Sequence, residues 1–170
     1  VGFSVMTPYL RNTMTIAEGI KKSAPFIKIV FGGPHISATK DELFHLNYKF
    51  MPDYLVCGEG EETLLAILDN LHEKDMEIEG AIHLTSKGEI IGRQGRNFIH
   101  DLNKLPIIDF GLLDIANYST VQSITKHSVS LMASRGCPFS CSFCDVFVTQ
   151  GRKLRLRSSE HIISEIELNL

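Results

Sequence analysis

The 170 residues are 44% hydrophobic and 22% charged, and 17 Lys and Arg against 20 Asp and Glu give a formal net charge of −3. That balance belongs to a folded globular chain; it excludes intrinsic disorder and any global basic field suited to nucleic acid or an anionic membrane surface. No uninterrupted apolar run is long enough to span a bilayer, and the opening "VGFSVM" carries no basic leader, so the expectation is a cytoplasmic protein.

The chain opens without an initiator Met on an apolar strand-like run, and "SSEHIISEIELNL" ends it inside a helical pattern that nothing stops. Both ends read as cuts in a longer protein. Between them, residues 1–76 alternate short apolar strands with amphipathic helices, the pattern of a parallel α/β sheet. "VGFSVM" predicts a strand, "MTIAEGIKKSA" a helix and "FIKIVFGG" a second strand. Thr39 and Glu42 have capping-box spacing for a helix that turns Leu43, Phe44 and Leu46 inward. A third strand, Tyr54 to Cys57, turns at Gly58 and Gly60 into a helix with Leu64, Ile67, Leu68 and Leu71 at i, i+3, i+4 and i+7.

Ligands of open α/β sheets bind beyond the carboxyl ends of the strands, the edge on which "SVMTP", "GGPH" and "GEGEE" fall. Small residues there admit a large flat or phosphate-bearing ligand; equally, glycine makes tight strand-to-helix turns. Neither glycine pair fits the GxGxxG dinucleotide fingerprint, which disfavours a nicotinamide site.

Residues 77–127 read as a hairpin turning at Lys87-Gly88, followed by a surface connector in which "LPIIDF" is extended. Residues 128–170 begin with a strand, "SVSLMAS", that runs into a cysteine loop. A helix follows from about Ser158, capped by Ser158 or Ser159, with Ile162, Ile163, Ile166 and Leu170 on one face. That is one further β-loop-α unit, of a second domain.

Cys137, Cys141 and Cys144 stand within eight residues, too close for paired crosslinks and well spaced for ligation. Structural zinc takes four ligands, usually as two separated pairs, and the remaining Cys57 lies 80 positions upstream. Iron-sulfur electron carriers likewise use four cysteines per cubane cluster, at other spacings. Three ligands suggest a four-iron cluster with one iron open to a substrate; an electron carrier or a zinc-binding module is the alternative.

The motif "RGCPFSCSFC", with Phe143 before the last cysteine, resembles the radical S-adenosylmethionine (SAM) signature, which follows the first strand of a (β/α) barrel. Together with "VGFSVMT", "IKIVFGGPHIS", "DYLVCGEGEETL", "DLNKLPIIDFGLLD" and "GRKLRLRSSEHIISEI", it is similar to the cobalamin-binding radical SAM family, which includes the anaerobic magnesium-protoporphyrin ester cyclase and many radical methyltransferases. The resemblance implies an α/β fold: a partial flavodoxin-like (Rossmann-like) cobalamin-binding parallel sheet lacking its first two strand-helix units, then the first β-loop-α unit of the radical SAM barrel. It implies that Cys137, Cys141 and Cys144 ligate a [4Fe-4S] cluster, that S-adenosylmethionine chelates the fourth iron, and that its reductive cleavage gives a 5'-deoxyadenosyl radical. Phe143 would pack near the adenine. Ser4, Thr7, Gly32, Gly33, Gly58, Glu59 and Gly60 would form the cobalamin cleft, with Ser4 and Thr7 donating hydrogen bonds. The implied reaction is methyl transfer, cyclisation or rearrangement at an unactivated carbon of a small molecule, fed by a reducing partner such as flavodoxin or ferredoxin. No nucleic-acid partner and no membrane span are implied.

Other residues take plainer readings. His35 in "GGPH" reads as a loop histidine satisfied by backbone, with approach to the corrin as a cobalt ligand as the alternative, and Cys57 reads as a small core residue. Arg152, Lys153, Arg155 and Arg157 read as a solvated basic face, with contact to an anionic substrate as the alternative. Glu59, Glu61 and Glu62 read as charges complementing a helix N-terminus, with acid-base chemistry as the alternative.

Overall fold

The computed structural model describes residues 1–46, 48–73, 75–92, 98–114 and 129–169. They form two compact units, each made of two stretches of chain: Val1–Phe98 with Phe139–Gly151, and Ile99–Pro138 with Arg152–Leu170.

The first unit is built on a sheet whose spatial order follows the chain: β1 (Gly2–Ser4), β2 (Val30–Gly32), β3 (Tyr54–Val56), β4 (Ala81–Leu84) and β5 (Ile90–Ile91). The first three strands are parallel, in the register Ser4↔Gly32 and Phe31↔Leu55. Parallel neighbours need a crossover. It is supplied by α1 (Leu10–Ser23) before β2, and by α2 (Pro34–Thr39) and α3 (Glu42–His45) before β3. After α4 (Glu61–Asp69) the chain returns antiparallel to β3, pairing Leu55↔Ile82 and Val56↔Ala81. The segment that reads as a separate hairpin is thus the antiparallel edge of the same sheet. Its turn is closed by the Thr85 N–H donating to Glu89 O at 2.8 Å and the Gly88 N–H to Thr85 O at 3.0 Å. Gly92, at φ 112°, leaves β5 so close to β4 that a Cβ would stand 2.0 Å from Ala81 O.

The period of two along each strand divides the core into two layers. On one face Val5, Ile29, Phe31, Leu55, Cys57 and Ile82 pack with Met14 and Ala17 of α1, Ile36 of α2 and Leu43 of α3. On the other, Val30, Tyr54, Val56 and Ala81 pack with Ile67 of α4 and with Ile78. At the amino edge of the sheet, Asp53 accepts from Lys21 Nζ at 2.8 Å, Lys28 Nζ at 3.0 Å and the Ile29 N–H at 2.8 Å. The carboxylate thereby joins the end of α1 to the starts of β2 and β3.

Several local expectations are corrected. Thr39 does not cap the helix of Leu43: it is the last residue of α2, its hydroxyl donates back to His35 O at 2.9 Å, and Asp41 precedes α3 instead. Leu43 is buried and Phe44 half-buried, whereas Leu46 is exposed. In α4, Thr63 and Ile67 face the sheet while Leu64 and Leu68 are exposed. The Thr63 hydroxyl donates to Glu79 O at 3.1 Å, which turns the helix by about one position from the apolar stripe. In the connector, Leu102 is fully buried, and two 3-10 turns, Leu102–Lys104 and Phe110–Leu112, are capped by Asp101 and Asp109. Residues 93–97 and 115–128 of the connector lie outside the described residues, as does Leu170.

The second unit holds the antiparallel pair β6 (Ser134–Arg135) and β7 (Arg155–Leu156) and the helix α6 (Ser159–Leu168). Within "SVSLMAS" only Ser134 is in a strand, because its partner β7 is two residues long; Ser128 is not among the described residues. Ser158 is the cap of α6, its Oγ accepting from the His161 N–H at 3.2 Å. The inward residue of α6 is Glu165, 1% exposed, while Ile163 and Ile166 face solvent. Among the described residues no helix is long and apolar enough to cross a membrane.

Candidate cofactor-binding edge

Because β1, β2 and β3 are parallel and in register, the loops "SVMT", "GGPH" and "GEGE" leave the sheet on one edge. Alternation puts Gly2 and Ser4 of β1 on the same face as Val30 and Gly32 of β2 and Val56 of β3. These residues floor a groove of about 350 Å³ that is walled by Gly33, Gly60, Glu61 and Leu64. Of the seven residues expected in the cobalamin cleft, Ser4, Gly32, Gly33 and Gly60 line this groove. Phe3, Val56, Glu61 and Leu64 line it too and escaped the sequence reading, although the alternation that gathers Gly2, Ser4, Val30, Gly32 and Val56 is visible in the sequence.

The two adjacent glycines do different work. A Cβ on Gly32 would come no closer than 3.6 Å to Val56 O, an ordinary contact, so packing does not demand glycine there and its bareness leaves the groove open. Gly33 sits at φ 91°, and a Cβ would lie 2.8 Å from both Ser4 Oγ and Val5 N. Its glycine is required by the turn itself. A floor that side chains would fill, apolar for most of its length and reaching the start of α4, suits a slender flat group with a polar tail. The residues present therefore fit the nucleotide tail of a cobalamin; at about 350 Å³ the groove does not enclose the whole molecule.

The remaining expected residues lie beside the groove. The Gly58 N–H donates to Ser37 Oγ at 3.0 Å, and Glu59 is buried between that glycine and the start of α4. Glu61 and Glu62 occupy the first turn of α4, where their charge complements the free N–H groups. Thr7 Oγ1 is 3.1 Å from His35 Nδ1, and the His35 N–H donates to Val5 O at 3.0 Å. The ring of His35 is therefore held by a side chain, and its main chain by the β1 loop.

Cys57 stands apart from the other thiols. It is 3% exposed, its Sγ lies 3.8 Å from Ile36 O, and burial pushes its thiol up to about 11. Such a thiol is a packing group. Cys141 is exposed, Cys137 and Cys144 are partly so, and all are uncrosslinked. The Cys144 N–H closes a turn onto Cys141 O at 3.2 Å, and Phe143 is 91% exposed. Cys137 belongs to the second unit, and Cys141 and Cys144 to the first. Three accessible thiols are the right donors for an iron-sulfur cluster, but among the described residues no three His, Cys, Asp or Glu side chains are gathered around a common point. The helix that follows them, α5 (Val146–Gln150), packs against α2 within the first unit.

The basic run is only half a solvated face. Arg152 and Lys153 are exposed, but Arg155 and Arg157 are 5% and 9% exposed. Arg155 Nη1 donates to Ile99 O at 2.6 Å. Arg157 donates to Met132 O at 3.0 Å and to His161 Nδ1 at 3.1 Å, and pairs with Glu165. These arginines are spent on internal carbonyls and a carboxylate, which removes them as a surface for an anionic substrate.

A second cavity, of about 560 Å³, opens at the amino edge beside Lys21, Lys28, Lys49 and Asp53. It is the larger of the two, yet it contains none of the expected site residues.

Comparison with known proteins gives the family context of the sheet. The family model "B12 binding domain" matches residues 1–68. Over 99% of its length the chain is 31% identical to the uncharacterized methyltransferase PH0819 of Pyrococcus horikoshii, and 26% identical to the anaerobic magnesium-protoporphyrin IX monomethyl ester cyclase of Rubrivivax gelatinosus. It spans 36% and 30% of the length of those two relatives. The fold is shared with the cobalamin-dependent S-adenosylmethionine radical enzyme OxsB, solved with aqua-cobalamin and S-adenosylmethionine bound, at a TM-score of 0.70 and 20% identity over 99% of this chain and 23% of that one. On these matches residues 1–68 match a B12 binding domain, and the whole chain is similar in sequence to a methyltransferase and to the magnesium-protoporphyrin ester cyclase, and in fold to a cobalamin-dependent radical SAM enzyme.

Proposed function

We propose that the protein carrying this chain is a radical SAM enzyme with cobalamin as second cofactor, acting by methyl transfer or by cyclisation or rearrangement at an unactivated carbon of a small molecule. The observation that carries the reading is the groove at the carboxyl edge of β1–β3, which lies inside the residues matched by the B12 binding domain. Ser4 offers a hydroxyl at its floor, Gly32 leaves it open, and Gly58, Glu59 and Gly60 shape the turn into α4. Cys137, Cys141 and Cys144 would hold a [4Fe-4S] cluster, leaving one iron for S-adenosylmethionine and Phe143 beside the adenine. When bound, these groups supply the electron that cleaves S-adenosylmethionine and a carrier for a methyl group. Cys57 takes no part, since its buried thiol stays protonated at neutral pH. The packing of α5 on α2 supports two cofactors served by one scaffold, because α5 follows Cys144 and α2 follows Gly33. A reducing partner such as flavodoxin or ferredoxin and a cytoplasmic location complete the proposal.

The test is anaerobic reconstitution of the full-length protein. Iron, sulfide and cobalamin should all be retained, and 5'-deoxyadenosine should form on addition of S-adenosylmethionine and reductant. Gly32→Val should lose cobalamin and keep iron; a variant that keeps both, or a wild type that binds zinc in place of iron, would refute the reading.

A further inference from the structure

The bond between Thr7 and His35 joins the 3-10 turn that follows β1 to the first turn of α2, which follows β2. Resting on the cobalamin reading above, we propose that His35 Nε2 is a hydrogen-bonding contact to the cobalamin periphery, and that Thr7 acts through His35 as its positioning residue.

Three observations lead there. His35 is fixed twice: its N–H donates to Val5 O at 3.0 Å, and its Nδ1 stands 3.1 Å from Thr7 Oγ1. Thr7 is itself set in a one-turn 3-10 helix, Thr7–Tyr9, that begins two residues after β1's last contact with β2, the Val5 N–H to Gly32 O at 2.7 Å. The opposite ring nitrogen, Nε2, has no protein partner among the described residues, on a side chain that is half-buried. A surface histidine with no task is seldom locked by both main chain and ring. Locking lowers the entropy lost when a ligand is met, which is how a binding group gains from preorganisation.

Position agrees with the role. Gly33 and Ser4 line the groove, and His35 and Thr7 are the residues to which those same loops lead. The Thr7 hydroxyl can donate to or accept from Nδ1, so Nε2 serves as acceptor or donor according to the tautomer. The amide-bearing rim of a corrin offers both kinds of partner. In this arrangement Thr7 bonds the imidazole and acts on cobalamin through His35.

The experiment is an absorbance titration of the full-length protein, freed of cobalamin, with hydroxocobalamin. The variants are Thr7→Val, Thr7→Ser, His35→Leu, His35→Gln and the Thr7→Val/His35→Leu double. His35→Leu is expected to weaken binding by about tenfold, the loss of one well-placed hydrogen bond. Thr7→Val should lose a similar factor, and the double variant no more than the worse single, because the two residues act as one. Thr7→Ser and His35→Gln, which restore the hydroxyl and a donor near Nε2, should recover most of the affinity. Unaltered urea midpoints confirm that the exposed Thr7 site leaves the fold intact. Additive losses, or wild-type affinity in His35→Leu, would overturn the proposal. So would nitrogen superhyperfine splitting in the paramagnetic resonance of bound cob(II)alamin that vanishes in both His35 variants, since it would make His35 a cobalt ligand. Failure of the wild type to bind any hydroxocobalamin would instead sink the cobalamin reading itself, and this inference with it.

Discussion

Burial separates the four thiols, and it does so by one short strand. Cys57 alternates inward from β3 and is desolvated, whereas Cys137, Cys141 and Cys144 sit on accessible backbone. Alkylation of the cluster-free protein at pH 8 should therefore modify three cysteines and spare Cys57 until urea is added. Cys57→Ala should keep the iron that Cys141→Ala loses. Equal loss from both variants would make Cys57 a fourth ligand and favour an electron carrier. Asp53 gives a second residue-level prediction. Burial favours its protonation, but the hydrogen bonds from Lys21, the Ile29 N–H and Lys28 outweigh it and hold its carboxyl below the ordinary carboxylate value of 3.8. Because the folded state binds this proton less readily than the unfolded state, the contribution is complete above that ordinary value and is lost as pH falls through the folded one. Asp53→Asn should cost roughly 2 kcal/mol at pH 7, less than a fully buried pair because Lys28 is partly exposed. Urea midpoints of the two proteins should converge as pH falls below the folded-state value of Asp53, itself below 3.8.

At the scale of elements, the glycine turn after β2 and the arginine after β7 make separable predictions. Gly33→Ala forces a side chain into φ 91° against Ser4 and Val5, and should destabilise the fold by about 2 kcal/mol with or without cobalamin. Gly32→Val should leave thermal stability near wild type and act on the ligand alone. Arg157→Met should strand the buried carboxylate of Glu165 and cost roughly 3 kcal/mol, most of which the Arg157→Met/Glu165→Leu double should recover. If the double unfolds as readily as the single, the donation to Met132 O matters more than the ion pair. Neither arginine was legible as interior from its neighbours. A run of "RKLRLR" looks solvated, and only alternation along β7, with Leu154 and Leu156 exposed and Arg155 and Arg157 buried, inverts it. The same limit applies to α4. Its apolar stripe at Leu64 and Leu68 predicts one inward face, but the tie from Thr63 to Glu79 O selects another.

For the molecule as a whole, the parallel core was readable because each strand-helix repeat carries its own period and its own glycine turn. The groove was half readable. Loops named their glycines, but only pairing in register shows that Gly2, Ser4 and Gly32 share a face. The antiparallel end of the sheet was not readable, since "AIHL" and "II" declare a hairpin without saying what it docks against; the close pass of Gly92 under Ala81 is a contact between distant segments. The carboxylate clamp at Asp53 ties down the amino ends of the strands, while the groove opens at their carboxyl ends. Substitutions that reshape recognition thus fall a strand's length away from those that secure the scaffold. A lineage built on this sheet can explore new chemistry at one pole while its mutational robustness is guarded at the other.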